Sequence, residues 1–247
     1  MASTSEIGHA KNVANFQDLI EFVTAYGATY NPSKNSLKLP QLIALKASAE
    51  ATLADVITKN TNYNNKVNER ITAFSGLKSL STRLVNALQT TDATTETIGN
   101  AKTFNRKMQG KKASSSQTPT DPNTPAPNTI STSQQSYDQL IQHLAGLTSI
   151  LEAETSYTPN ETDLQVATLQ TKIADLTAKN TAVATAYASI SNSRIARNET
   201  LYSSSTGLVE TANEVKKYIK SVFGASSPQF AQVKGIQFKI MYRPKIG

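Results

Sequence analysis

The longest regular pattern in the chain is a seam of apolar positions spaced alternately by three and four. From Leu39 it passes through Leu42, Lys46, Ala49, Leu53, Val56, Asn60, Tyr63, Val67, Arg70 and Phe74, and all but Lys46, Asn60 and Arg70 can pack. The same frame returns at Val166, Leu169, Ile173, Leu176, Asn180, Val183, Tyr187, Ile190, Arg194, Arg197 and Leu201, with polar residues again at only three positions. A mean step of 3.5 residues is that of a helix facing another helix. Each seam predicts a helix of about 35 residues, roughly 50 Å long.

The two seams belong to a wider recurrence. Residues 30–74 reappear 127 positions later as 157–201. Tyr30, Pro32, Leu37, Leu42, Ala47, Ala51, Val56, Thr58, Asn65 and Arg70 match Tyr157, Pro159, Leu164, Leu169, Ala174, Ala178, Val183, Thr185, Asn192 and Arg197 without a gap. The relation extends outward with small offset changes where loops are expected. Phe16, Leu19 and Ile20 answer Tyr137, Leu140 and Ile141, while Gly76, Leu77, Leu84 and Leu88 answer Gly207, Leu208, Val215 and Ile219. Insertions confined to loops are what a duplicated fold tolerates.

Each copy reads as four helices. The first spans about Val13 to Tyr26, or Tyr137 to Leu151. A turn at Tyr30-Asn31-Pro32, or Tyr157-Thr158-Pro159, leads to the long helix, with Ser33 to Ser36 and Asn160 to Asp163 available as caps. Pro40 falls in the first turn of that helix, where no inward backbone partner is needed. A third helix follows Gly76 or Gly207. The fourth starts near Thr95, or at Ser227-Pro228, a pairing of N-cap and first helical residue. Phe230, Val233 and Ile236 then answer Ile98, Ala101 and Phe104. Residues 236–243 alternate well enough for an extended tail, with Ile236, Phe238, Ile240 and Tyr242 on one side, but helix and strand are nearly tied there because Gly235 interrupts either pattern.

The expected fold is therefore all-α: two sequence-related antiparallel helical bundles at residues 1–111 and 136–247. Between them, Lys111 to Ser136 holds four of the nine prolines and little apolar material. Such a segment cannot offset its ordering entropy, so 112–135 is expected to be a linker.

Composition narrows the chemistry. No Cys occurs, which excludes disulfides, thiolate nucleophiles and cysteine metal sites. The only histidines are His9, in a terminus expected to fray, and His143, placed on a helix at the position of Phe22. Neither has ligand spacing beside it, no Gly-rich phosphate loop is present, and neither cofactor nor catalytic residue is expected. The start, MASTSEIGHAKNVANF, lacks the apolar core of a secretory signal and no run is long enough to span a bilayer, so a soluble cytoplasmic protein is expected.

Net charge is +7, and the basic residues gather at equivalent ends of the two copies. Arg106, Lys107, Lys111 and Lys112 close the first, while Lys216, Lys217, Lys220, Lys239 and Arg243 lie late in the second. They are the candidate ligands for an acidic protein, nucleic acid or an anionic lipid surface. Phe104, Phe238 and Tyr242 lie among them, either as stacking platforms or as core plugs. Arg70 and Arg197 on the seams are anion ligands in one reading. In the other they are cations favoured by the helix C-terminus, with side chains that reach water. Two related units with long packable helices point first to a non-enzymatic scaffold that self-associates into oligomers or filaments. An anion-binding module is the alternative.

Overall fold

The computed structural model describes residues 8–110 and 135–241. Among them the chain is helical, with no strand: α1 (His9–Ala25), α2 (Leu39–Phe74), α3 (Leu77–Leu88), α4 (Thr95–Gln109), α5 (Tyr137–Ala153), α6 (Val166–Tyr202), α7 (Leu208–Phe223) and α8 (Pro228–Lys234). Short 3₁₀ turns occupy Gly27–Thr29, Asn35–Leu37 and Thr162–Leu164. The proline-rich segment lies almost wholly outside the described residues.

Both long helices follow their seams. Every seam residue of α2 is at least partly shielded, and in α6 only Tyr187 and Arg194 stand exposed. Each helix is entered in the same way. The Tyr30 hydroxyl donates to the Leu37 carbonyl at 2.7 Å, and the Tyr157 hydroxyl to the Leu164 carbonyl at 3.0 Å. These bonds close a 3₁₀ turn, after which Lys38 and Gln165 are extended and their carbonyls accept the first helical N–H groups. The polar residues at 33–36 and 160–163 thus fill the turn ahead of the helix. Burial pushes the Tyr157 hydroxyl up to about 12 and the Tyr30 hydroxyl well above the usual tyrosine range.

The chain divides into two compact units, and the division differs from the expected 1–111 and 136–247. One comprises Met1–Tyr63 with Ala186–Gly247, the other Asn64–Thr185. The reason is length. The 36 residues of α2 extend about 54 Å, whereas α3 and α4, with 12 and 15 residues, reach only about 18 and 23 Å from its last turn. They cannot return to cover its first half. In the first unit that half (Leu42, Ala49) is covered by α1 (Phe16, Leu19, Val23), the end of α6 (Leu201), α7 (Ala212, Val215, Ile219) and α8 (Val233). The second unit packs the end of α2 (Phe74) with α3 (Leu84, Leu88), α4 (Ala101, Met108), α5 (Leu144, Leu147, Leu151) and the start of α6 (Leu169, Leu176). The Asn35–Leu37 turn accordingly packs on α7, and the Thr162–Leu164 turn on α3.

The register of the first helix also differs from the sequence match. Phe16, Leu19, Ile20 and Val23 are buried in α1, and the buried run of α5 is Leu144, Leu147, Thr148 and Leu151. The offset is 128, not the 121 that paired Phe16 with Tyr137. A slip of seven residues preserves the heptad phase, so the apolar pattern alone cannot detect it. In the structural frame His143 corresponds to Asn15. The matched glycines serve different purposes: Gly76 is left-handed at φ +78°, whereas at Gly207 a Cβ would lie 2.5 Å from the Ser203 nitrogen.

The fourth helices share a cap, since Thr94 accepts from the Thr97 N–H and Ser227 from the Phe230 N–H, with Pro228 first in its helix. They then diverge. After seven residues α8 gives way at Gly235 to a tail without regular structure, in which Ile236 and Phe238 pack against the core while Ile240 is exposed. Tyr242 lies outside the described residues.

In the second unit α4 approaches α5 closely at Gly146, where an added Cβ would sit 2.4 Å from Cε1 of Phe104. Gly146→Ala is expected to lower stability by about 1–3 kcal/mol through overpacking, against a helix-propensity gain of about 1 kcal/mol. Adding Phe104→Leu should recover part of the loss. Urea denaturation of both variants checks this, and a more stable Gly146→Ala protein would contradict it.

Candidate functional site

The C-terminal tail is held in the first unit by a polar clamp that starts from Asn12, a buried amide on the apolar stripe of α1. Asn12 Nδ2 donates to the Lys239 carbonyl at 2.7 Å, and Asn12 Oδ1 accepts from the Lys239 N–H at 3.0 Å. The side-chain amide thus satisfies both backbone groups of Lys239. One turn on, Asn15 Nδ2 donates to the Gln237 carbonyl at 2.6 Å. Asn12 Nδ2 also reaches the Tyr202 hydroxyl at 3.3 Å, and that hydroxyl is 2.7 Å from His9 Nδ1. Tyr202 accepts from Asn12 and from the Met241 backbone, so its own proton is directed to His9 Nδ1, which must be unprotonated to receive it. Burial, and then the Arg197 guanidinium, hold the His9 pKa below its usual value. The expected frayed end is instead the first residue of α1, with its ring on Tyr202 at 5.6 Å. A polar residue on an otherwise apolar stripe was the available signal.

The basic candidates divide between the units. Arg106 and Lys107 lie in the second, and Lys216, Lys217, Lys220 and Lys239 in the first. Lys111, Lys112 and Arg243 lie outside the described residues. Several of these cations are engaged locally. Lys216 donates to the Ile236 carbonyl and stands 5.1 Å from the Phe238 ring, and burial lowers its pKa. Lys220 lies 5.8 Å from the Phe230 ring and Lys107 5.6 Å from that of Phe104. Phe104, Phe230 and Phe238 are partly buried against the two cores, which is the plug role. Lys217 and Lys239 keep exposed side chains, with Glu210 3.9 Å from the Lys217 ammonium.

The seam arginines turn inward to protein partners. Arg70 places its guanidinium 4.0 Å over the Tyr137 ring and donates to Asn180 Oδ1 at 3.0 Å. Asn180 Nδ2 then donates to Asp138 Oδ1 at 2.7 Å, so one amide links cation and carboxylate. Arg197 donates through Nε and Nη2 to Asn198 Oδ1.

A second feature of the first unit is apolar. Its core cluster ends along α2 at Leu53 and is met again along α6 at Leu201. Between these limits the two helices are tied by Ser193 Oγ donating to Asp55 Oδ2 at 2.6 Å and by the Tyr63 and Tyr187 rings at 5.9 Å, with Ala186 and Ile190 buried. On these helices Ile57 and Ile195 are 68% and 63% exposed, and Tyr187 keeps 58% of its surface exposed beside Tyr63. Of the large exposed apolar residues among those described, all but Ile71 fall in this unit.

Among the described residues no cluster of His, Asp or Glu is arranged to hold a metal ion, and no helix is long and apolar enough to cross a membrane. Comparisons with protein-family models, curated proteins and solved structures find no match.

The clamp generates a paired prediction. Asn12→Ala should speed hydrogen exchange at the Lys239 amide about tenfold, the factor for losing about 1.4 kcal/mol of bonding. In acid, unfolded His9 takes up a proton that folded His9 resists, so stability should fall as pH drops below about 6.5. His9→Gln should make that decline shallower between about pH 6.5 and 5, as read by urea denaturation. An unchanged slope would remove His9 from the account.

Proposed function

We propose that this chain is a non-enzymatic scaffold that associates with copies of itself through the outer faces of its long helices. The observation that carries the reading is the exposed set Ile57, Tyr187 and Ile195 on the α2–α6 pair, with Ile43 further along α2. Two helices pairing alone cover only one face of each, and apolar surface left on the outside of such a pair is what a further helix layer would bury. The groups otherwise suited to chemistry support the reading, because His9, Lys216 and Arg70 are each committed to an internal contact.

The scaffold is read as a duplicated helical unit joined by a linker at 112–135. Support comes from the repeated Tyr-to-Leu carbonyl bond, helices α1 and α5 of equal length, and the shared Thr94 and Ser227 caps. A chain with two similar binding faces has head-to-tail rings or filaments available to it. The anion-binding alternative rests on Lys217, Lys239, Arg106 and Lys107, all exposed.

Light scattering on a size-exclusion column, followed by negative-stain microscopy, tests both. Self-association should grow with concentration and be weakened at least tenfold by Ile57→Glu with Ile195→Glu. A wild-type chain that stays monomeric at high concentration would end the scaffold reading. Binding to vesicles with anionic lipid, or to DNA or RNA, lost on raising salt and on Lys217→Glu with Lys239→Glu, would favour the alternative.

A further inference from the structure

We infer that the two sequence halves carry complementary docking surfaces that accept each other and reject copies of themselves, so that the partner of a first half is always a second half. This rule rests on the duplication proposed above. It concerns how the halves choose one another, which the duplication alone leaves open.

Two ion pairs join the same helix and turn with opposite polarity, through the same helix position but different turn positions, since Lys34 matches Glu161 and Asp163 matches Ser36. In the second unit Arg83, the seventh residue of α3, donates through Nη2 to Asp163 Oδ1 at 3.2 Å and through Nη1 to the other carboxylate oxygen. Glu161, just ahead of the same turn, adds to the attraction. In the first unit the seventh residue of α7 is Glu214, and it meets Lys34, just ahead of the Asn35–Leu37 turn, at 2.6 and 2.8 Å. The helix position is thus cationic in the first half and anionic in the second. The turn carries Glu161 and Asp163 in the second half, and Lys34 and Ser36 at the same two places in the first.

Pairing within one kind of half inverts both contacts. Two first halves would set Arg83 against Lys34, and two second halves would set Glu214 against Glu161 and Asp163. Each repulsion would occur twice in a symmetric pair. Size works in the same direction. Tyr218 of α7 stands edge-on to Tyr30 at 5.2 Å and accepts from the Asn31 N–H, whereas the matching residue of α3, the eleventh in each helix, is Ala87. Two first halves would therefore lose the ring that covers Tyr30. Surface ion pairs are individually weak, but a choice between partners depends on the difference between attraction and repulsion, and that difference is summed over every contact. A second copy of the chain would be held to the same rule: any exchange between copies pairs unlike halves.

The test uses the full chain with a sequence-specific protease site placed within 112–135. The protein is cleaved, unfolded in urea and refolded, and native mass spectrometry counts the species. One first half bound to one second half should dominate, with like pairs below about a tenth of their statistical share. The variant Arg83→Glu with Asp163→Lys keeps an ion pair in the second unit but makes each half compatible with itself there. Like pairs should rise about tenfold. If wild-type halves pair with themselves as readily as with each other, the rule is overturned and the duplication stands. If the cleaved halves separate and each remains folded alone, the exchange of elements between halves fails as well. The wild-type ratio decides the matter even where the variant refolds poorly.

Discussion

The constraint on which the rest depends is the length of the two central helices. A helix of 36 or 37 residues runs about 55 Å, further than any of the short helices beside it in sequence can span. Its first half must be covered by elements that do not directly follow it. Every later feature of the architecture answers that requirement: where α1 and α7 pack, why the turn before α2 rests on α7, and why the turn before α6 rests on α3. Hydrophobic burial drives the cover, since Phe16, Leu42, Leu201, Val215 and Val233 are almost wholly removed from water in one core.

Polar groups in this protein hold irregular chain in place. Tyr30 and Tyr157 each bind the carbonyl of a leucine seven residues on, and so define the start of a long helix. Asn12 gives the C-terminal tail two backbone hydrogen bonds, and Lys216 with Phe238 fixes the same tail from α7. These contacts are local in space but join residues far apart in sequence; Asn12 and Lys239 are separated by 227 positions. A buried amide or hydroxyl left without its partner is costly, which gives such clamps their influence over the tail.

The same economy governs the basic residues. A lysine near an aromatic ring is worth more as a cover for that ring than as a free charge when its ammonium is partly desolvated, as at Lys216. Lys216 is thereby withdrawn from the cationic surface, while Lys217 and Lys239 stay on it. The first unit also leaves large apolar residues exposed, Ile57, Tyr187 and Ile195 on its paired helices among them.

Helix content, the long seams and their limits, the Tyr turns and the Ser227-Pro228 cap were legible in the sequence, because each is set by a local spacing or a local hydrogen bond. The length of the seams was legible too, and with it that α3 and α4 are too short to turn back over the first half of α2; which elements join α1 in covering that half was not. The heptad slip between α1 and α5 was not legible, since a shift of seven leaves the apolar phase unchanged. Nor was the role of His9, Lys216 or Arg70, whose partners Tyr202, Phe238, Tyr137 and Asn180 lie on other elements. The amino-acid order determined which helices form and how long they are; the tertiary structure decided which of them share a core and which charges stay free, because both depend on contacts between residues that no local spacing connects.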